Sequence, residues 1–98
     1  MVATQQQYVL LLRKFLAEHG AEYGIARMGI FGSVARGEQR AESDVDVLVE
    51  APVLSLLSLV GIKRQLEEIF GMPVDVVRKT EYMPQRFKAR VEKEVVYA

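Results

Sequence analysis

Residues 44–50 read Asp44-Val45-Asp46-Val47-Leu48-Val49-Glu50, and the strict alternation of this stretch sets the kind of fold the chain adopts. On an extended backbone successive side chains point to opposite faces, so Asp44, Asp46 and Leu48 share one side of a strand while Val45, Val47 and Val49 share the other. The valine face belongs in a core. The opposite face carries two carboxylates on Cα atoms about 6 to 7 Å apart. They repel one another, and beside a valine-rich sheet they also lose hydration, so both effects penalise the charged form. Acids at strand ends often do no more than form an Asx-type turn at the solvent edge. The residues around this strand decide between the two readings.

Upstream, Gly37 to Ser43 is a polar loop, and Ile25 to Phe31 reads as a short strand ending at Gly32. Ser33 to Arg36 can then form the first turn of a helix. Gly32 and Ser33 thus follow a strand directly, with ten residues between Ser33 and Asp44. Backbone N–H groups and a hydroxyl at such a turn surround a point where a phosphate can dock. A glycine there lets the phosphate approach the main chain without a Cβ in the way. Further upstream, Thr4 to His19 places Tyr8, Leu12, Phe15 and Leu16 on one helical face, with Thr4 and Gln7 as a capping box and Gly20 as the terminator.

Downstream, Pro52 breaks the strand. Leu56, Leu59, Leu66 and Ile69, with Val60, Ile62 and Phe70, then supply a broad apolar helical stripe ending at Gly71, with Gly61 as a weak point inside it. Pro73 leads into a second short strand, Val74 to Arg78, which carries Asp75 among valines. Pro84 opens a last helix in which Phe87, Val91 and Val95 recur at helical spacing, while Arg86, Lys88, Arg90 and Lys93 face outward. The strand, helix, strand run from Asp44 to Asp75 is long enough for a crossover, which makes those two strands parallel neighbours. Asp75 would then lie about 4.8 Å from the Asp44–Asp46 strand. Three oxygen-donor groups would converge within reach of a divalent cation, which offsets the cost of gathering them.

The expected class is α/β or α+β: one domain over residues 1–98, with a small mixed sheet of about three strands flanked by about four helices. Half of the residues are apolar and 27% are charged, the balance of an ordinary globular protein. The chain has no cysteine and one histidine, so any metal is held mainly by oxygen, which favours Mg²⁺, Mn²⁺ or Ca²⁺. Thirteen basic residues cancel thirteen acidic ones, so a long nucleic acid is a disfavoured partner. No apolar run spans a bilayer and residues 1–20 do not read as a signal peptide, so a cytoplasmic location without membrane contact is expected.

Gly32-Ser33, ten residues, then Asp44-Val45-Asp46 resembles the signature of the nucleotidyltransferases of the DNA polymerase β superfamily. The longer string GSVARGEQRAESDVDVLVE over residues 32–50 is similar to the minimal nucleotidyltransferases that pair with HEPN proteins in prokaryotic toxin–antitoxin systems. The likeness continues through LVGIKRQLEEIFGMPVDVV, where Asp75 falls at the place of the family's third carboxylate, and on to the terminal VVYA. This resemblance implies that Asp44 and Asp46 bridge two Mg²⁺ ions carrying ATP, and that Gly32 and Ser33 grip its phosphates. Asp75 would help ligate the catalytic metal and draw the proton from the acceptor hydroxyl. Two ions about 3.5 to 4 Å apart stabilise both the attacking and the leaving oxygen of an in-line displacement, in keeping with that division. Arg36, one helical turn past Ser33, is placed with the nucleotide-binding residues, and Ser43 beside Asp44 joins them.

The family's larger members carry further domains for the acceptor, so here the acceptor is expected to be a separate molecule. The resemblance implies a cognate HEPN toxin, an RNase silenced when AMP is added to one of its tyrosines. Two alternatives keep the same pocket: an antitoxin that binds nucleotide and neutralises its partner by contact alone, and transfer to a small molecule or an RNA end. Arg78 and Lys79 follow the third strand closely enough to meet a triphosphate, although a solvated role suits them better. His19 reads as a helix-end residue, and Tyr8, Tyr23, Tyr82 and Tyr97 as packing residues. Oligomeric state stays open, a homo-oligomer included; exposed apolar residues of the first or last helix would supply the surface.

Overall fold

In the computed structural model, which describes residues 4–40 and 44–98, a four-stranded mixed sheet forms the centre. The elements are α1 (Gln5–Tyr23), β1 (Arg27–Phe31), α2 (Gly32–Ala35), β2 (Val45–Glu50), α3 (Leu56–Phe70), β3 (Val74–Arg78), α4 (Gln85–Glu94) and β4 (Val96–Tyr97). The sheet order is β3-β2-β1-β4, with β2 and β3 parallel and β1 antiparallel to both β2 and β4. The parallel pairing follows from α3 carrying the chain back before β3 begins, as the crossover reading requires.

Two readings shift. The sheet has four strands rather than about three, because the last helix ends at Glu94 and Val96 and Tyr97 pair with Ile30 and Gly29 on the free side of β1. Helical spacing had assigned Val95 to that helix; an edge strand of two residues is too short to leave a periodic signal. The first helix passes through Gly20 and stops at Gly24, whose φ of +65° gives the left-handed cap. Gly20 is instead a buried helical residue beside Leu16. The expected capping box is formed: Thr4 Oγ1 accepts from the Gln7 amide at 3.3 Å, and Gln7 Oε1 accepts from the Thr4 amide at 2.7 Å.

Alternation in β2 sends side chains into two separate cores. Val45, Val47 and Val49 join Met28, Ile30 and Val74 of the sheet, Leu12 and Phe15 of α1 and Ile62 and Leu66 of α3. Leu48 points the other way and packs with Phe31 and with Val91 of α4, with Phe87 and Tyr97 closing the edge. Both faces of the central strands are therefore covered, which is why β2 is buried on its acid side as well, wherever it carries Leu48 rather than Asp46. The acids lie on the α4 face, beyond the apolar contact that α4 makes.

Gly29 of β1 is where β4 is admitted. A Cβ at this position would stand 2.5 Å from Val95 Cγ2 and 2.9 Å from the Val96 carbonyl oxygen. Gly29→Ala should therefore push β4 off the sheet and cost about 1 to 3 kcal/mol, the usual range for overpacking. Urea denaturation checks it, and an unchanged midpoint would refute the account of β4.

Large apolar side chains left exposed do not sit on α4 among the described residues. They are Leu10 on α1, Ile69 late in α3, Val53, Leu56, Leu57 and Val60 around the start of α3, and Tyr82 ahead of α4. The surface expected on the last helix is thus absent from it, because that helix spends Phe87 and Val91 on the sheet. No helix of the described residues is long and apolar enough to cross a membrane.

Candidate active site

The sheet register sets Asp46 between Phe31 on β1 and Asp75 on β3. Parallel pairing places the two aspartates side by side on one face, at the end of the sheet where β1 gives way to α2. Asp46 is half-buried, whereas Asp75 and Asp44, which immediately precedes β2, are exposed. Burial most of all, then the charges of Asp75 and Asp44, push the Asp46 carboxyl above its ordinary value, and Arg36 and Arg90 pull it partly back. Asp46 therefore carries the electrostatic cost of lying near both other acids.

Gly32 is the reason Asp46 can occupy that place. Its φ of +72° is left-handed, and a Cβ built on it would collide with the Asp46 carboxylate. Two requirements, the turn out of β1 and the close approach of a carboxylate, therefore meet in one residue that only glycine satisfies. Ser33 follows in α2, partly exposed, and its carbonyl accepts from the Glu38 amide at 2.8 Å.

Arg36 ends α2 and is engaged rather than free. Its Nε donates to Glu38 at 2.9 Å and its Nη1 to Glu94 at 2.9 Å. The other oxygen of Glu94 accepts the Gly32 amide at 3.3 Å, and Arg90 Nε lies 3.4 Å from the same carboxylate. Burial works to raise the Glu94 carboxyl, but the hydrogen bond and charge of Arg36, the Gly32 amide and Arg90 outweigh it and hold the group below its ordinary value. Glu94 and Arg90 were missed in the sequence, where Arg90 reads as an outward charge. Their spacing of four shows only that they share a helix face. The contact with Gly32 spans 62 positions and leaves no local signal.

Asp44, Asp46, Asp75, Gly32, Ser33 and Arg36 therefore belong to one end of the sheet. Ser43 lies outside the described residues. The convergence expected of the three acids is looser than a closed ligand shell: among the described residues no group of three or more His, Cys, Asp or Glu side chains is gathered tightly enough to hold a metal ion. The donors are nonetheless all carboxylate oxygens on or beside neighbouring strands, one of them raised in pKa by burial and then by its neighbours, and that chemistry fits a hard divalent cation.

Arg78 and Lys79 leave the list of candidate phosphate ligands. Arg78 is opposite Val49 and three residues from Asp75, roughly 10 Å along the strand. Its Nη2 donates to the carbonyls of Ala51 and Pro52 at 3.1 and 3.0 Å, while Lys79 pairs with Glu50 and Glu92. Both residues tie down the far end of the sheet. The aromatic hydroxyls are also committed to structure: Tyr8 donates to Met72 Sδ at 2.8 Å, Tyr23 accepts from Gln65 at 2.7 Å and Tyr97 donates to Glu50 at 2.6 Å, leaving Tyr82 exposed. His19 pairs with Glu22 on the surface of α1.

Relatives of known class match the chain along most of its length. The chain belongs to the nucleotidyltransferase domain family, which matches residues 11–98, and within it to the minimal nucleotidyltransferases. Protein adenylyltransferase MntA of Thermococcus cleftensis is 34% identical over 95 residues, spanning 96% of this chain and 95% of that one. A relative from Methanocaldococcus jannaschii, provisionally named a protein adenylyltransferase, is 45% identical over 76 residues, or 76% of this chain and 81% of its own. A solved structure provisionally described as a minimal nucleotidyltransferase superposes with a TM-score of 0.77 at 32% identity, covering 96% of this chain and 95% of that chain. The complex of a tri-AMPylated Shewanella oneidensis HEPN toxin with an MNT antitoxin shares the fold, with a TM-score of 0.70 at 18% identity over 96% of this chain and 71% of the other.

Proposed function

We propose that this chain transfers AMP from ATP to a tyrosine hydroxyl of a cognate HEPN RNase toxin and so serves as its antitoxin. The observation that carries the reading is the Asp46 carboxylate seated against Gly32 and paired in register with Asp75. It sets an acidic, half-buried centre directly beside a turn suited to phosphate. The complex described as a toxin–antitoxin with AMP-PNP, which shares this fold at 20% identity, and the AMPylated toxin complex lend the substrate and acceptor.

In this scheme Gly32, Ser33 and Arg36 bind the triphosphate, Ser43 is assigned to nucleotide binding by its sequence position alone, and Asp44, Asp46 and Asp75 would hold two Mg²⁺ ions. The ions, when bound, would supply the positive charge that stabilises the attacking and leaving oxygens. The tyrosine oxygen forms a bond to the α-phosphorus as the bond from that phosphorus to the α,β-bridging oxygen breaks. Pyrophosphate leaves with the electron pair, and the phenolic proton passes to Asp75. That carboxylate is exposed, open to an acceptor arriving from another protein.

Incubating the purified chain and its partner with ATP labelled on the α-phosphate, in Mg²⁺, tests the reading. Label on the partner tyrosine is expected. A wild-type chain that leaves the partner unlabelled would end the transferase assignment.

A further inference from the structure

Glu94 is a largely buried charge for which the scheme above has no use. Its side chain is 15% exposed, and three donors converge on it: the Gly32 amide, the Arg36 guanidinium and the Arg90 guanidinium. Charge-assisted bonds of this kind are roughly twice as strong as neutral ones. Two of the donors, Gly32 and Arg36, are the groups assigned to the triphosphate. A backbone amide has one hydrogen, so Gly32 cannot donate fully to Glu94 and to a phosphate oxygen together. A carboxylate left in place would also repel a triphosphate brought against the same arginine. The cluster adjoins the acids, since Gly32, whose amide Glu94 holds, lies directly against the Asp46 carboxylate.

We propose that Glu94 is an internal stand-in for a phosphate oxygen: it holds Gly32 and Arg36 until a nucleoside triphosphate displaces it, so that α4 sets the affinity for nucleotide. The inference rests on the nucleotide reading of Gly32 and Arg36 given above. The geometry supplies a place for the displaced group. A cleft of about 620 Å³, lined by Arg36, Ala89, Arg90, Lys93 and Glu94, adjoins the cluster. Arg90, one turn earlier on the same helix, can keep Glu94 paired while Arg36 passes to the phosphates. The nucleotide then meets an arginine already oriented by its bonds to Glu38 and Glu94, and its apparent affinity is reduced by the fraction of molecules in which Glu94 remains docked.

The test is calorimetric titration of the 98-residue chain with ATP and Mg²⁺, comparing wild type with Glu94→Gln, and a parallel titration with tripolyphosphate alone. Glutamine keeps the shape and one acceptor but removes the charge. Glu94→Gln should bind both ligands about tenfold more tightly, as expected when a competing docked state is emptied. In the labelling assay KM for ATP should fall by a similar factor with kcat unchanged, a split that general loosening of the fold would not produce. Glu94→Asp, which retains the charge but withdraws it by one methylene, should tighten binding less, and it serves where the glutamine variant fails to fold. If wild type binds ATP and neither variant binds it more tightly, Glu94 is a strut and the stand-in role is overturned. If no form binds ATP, the nucleotide reading falls and this inference with it.

Discussion

Asp46→Asn is expected to lower AMP transfer by at least about 10³-fold while raising the melting temperature of the metal-free protein, because the same carboxylate is a ligand in the reaction and a liability in the fold. The sign follows from its surroundings. Burial and the charges of Asp75 and Asp44 lift the folded-state value above that of the unfolded chain. An acid so raised carries no penalty below its unfolded value. The penalty grows as pH climbs from there through the folded value, and it is complete above, so stability is lost as pH rises. The wild type therefore bears more of it at pH 7 than at pH 3.

Asp46 is partly open to water, which screens much of the repulsion. A gain of about 1 kcal/mol for the asparagine variant is therefore appropriate, within the usual range for replacing a strained functional group. In a domain of this size that corresponds to roughly 4 to 8 °C. Thermal scans in a chelator at pH 7 and at pH 3 check it: the two proteins should differ at pH 7 and converge in acid. Adding Mg²⁺ and ATP should reverse the order, since ligand stabilises only the form that binds it. A variant that melts below wild type at pH 7 without metal would show that Asp46 stabilises the fold and would remove the electrostatic account. Whether Asp46→Asn still protects cells from the toxin separates enzymatic neutralisation from neutralisation by contact alone; loss of protection is expected.

Gly32→Ala should be the second severe change, at about 2 kcal/mol of stability, from a left-handed backbone that alone costs roughly 1 to 2 kcal/mol and a collision added to it. The collision is with the Asp46 carboxylate itself, so either the turn or the carboxylate must move. Displacement of about 1 Å at a reacting centre is enough for a loss of about 10²-fold in transfer. Gly37→Ala is the matched control. Gly37 has nearly the same backbone, with φ of +71°, but a Cβ there meets nothing within 4 Å. It should lose about 1 kcal/mol and keep its activity. Melting curves and label transfer on the pair give the comparison. Equal loss of activity in both would mean that backbone strain, not contact with Asp46, is what Gly32 relieves.

Much of this molecule was readable from local pattern. Alternation over residues 44–50 gave a strand with an acid face, the Pro52 break and the α3 stripe gave a crossover, and the Thr4–Gln7 box set the start of α1. The parallel neighbourhood of Asp46 and Asp75 followed from the length of the connection between them. What escaped were features with no period of their own. β4 is too short to alternate, Gly20 reads as the stop of α1 although packing carries the helix on to Gly24, and Arg78 is three residues from Asp75 in sequence while lying at the other end of the strand.

Sequence by itself therefore determined which residues are acids beside or on a strand and which glycine precedes a helical turn, because those properties depend on backbone periodicities of two and 3.6 residues. Only the tertiary structure decided that Gly32 touches Asp46, that Glu94 reaches back across the chain to hold Gly32 and Arg36, and that Arg78 is a brace. Such contacts are set by how α4 and the sheet pack, and a packing contact between residues far apart in the chain has no spacing from which it can be read.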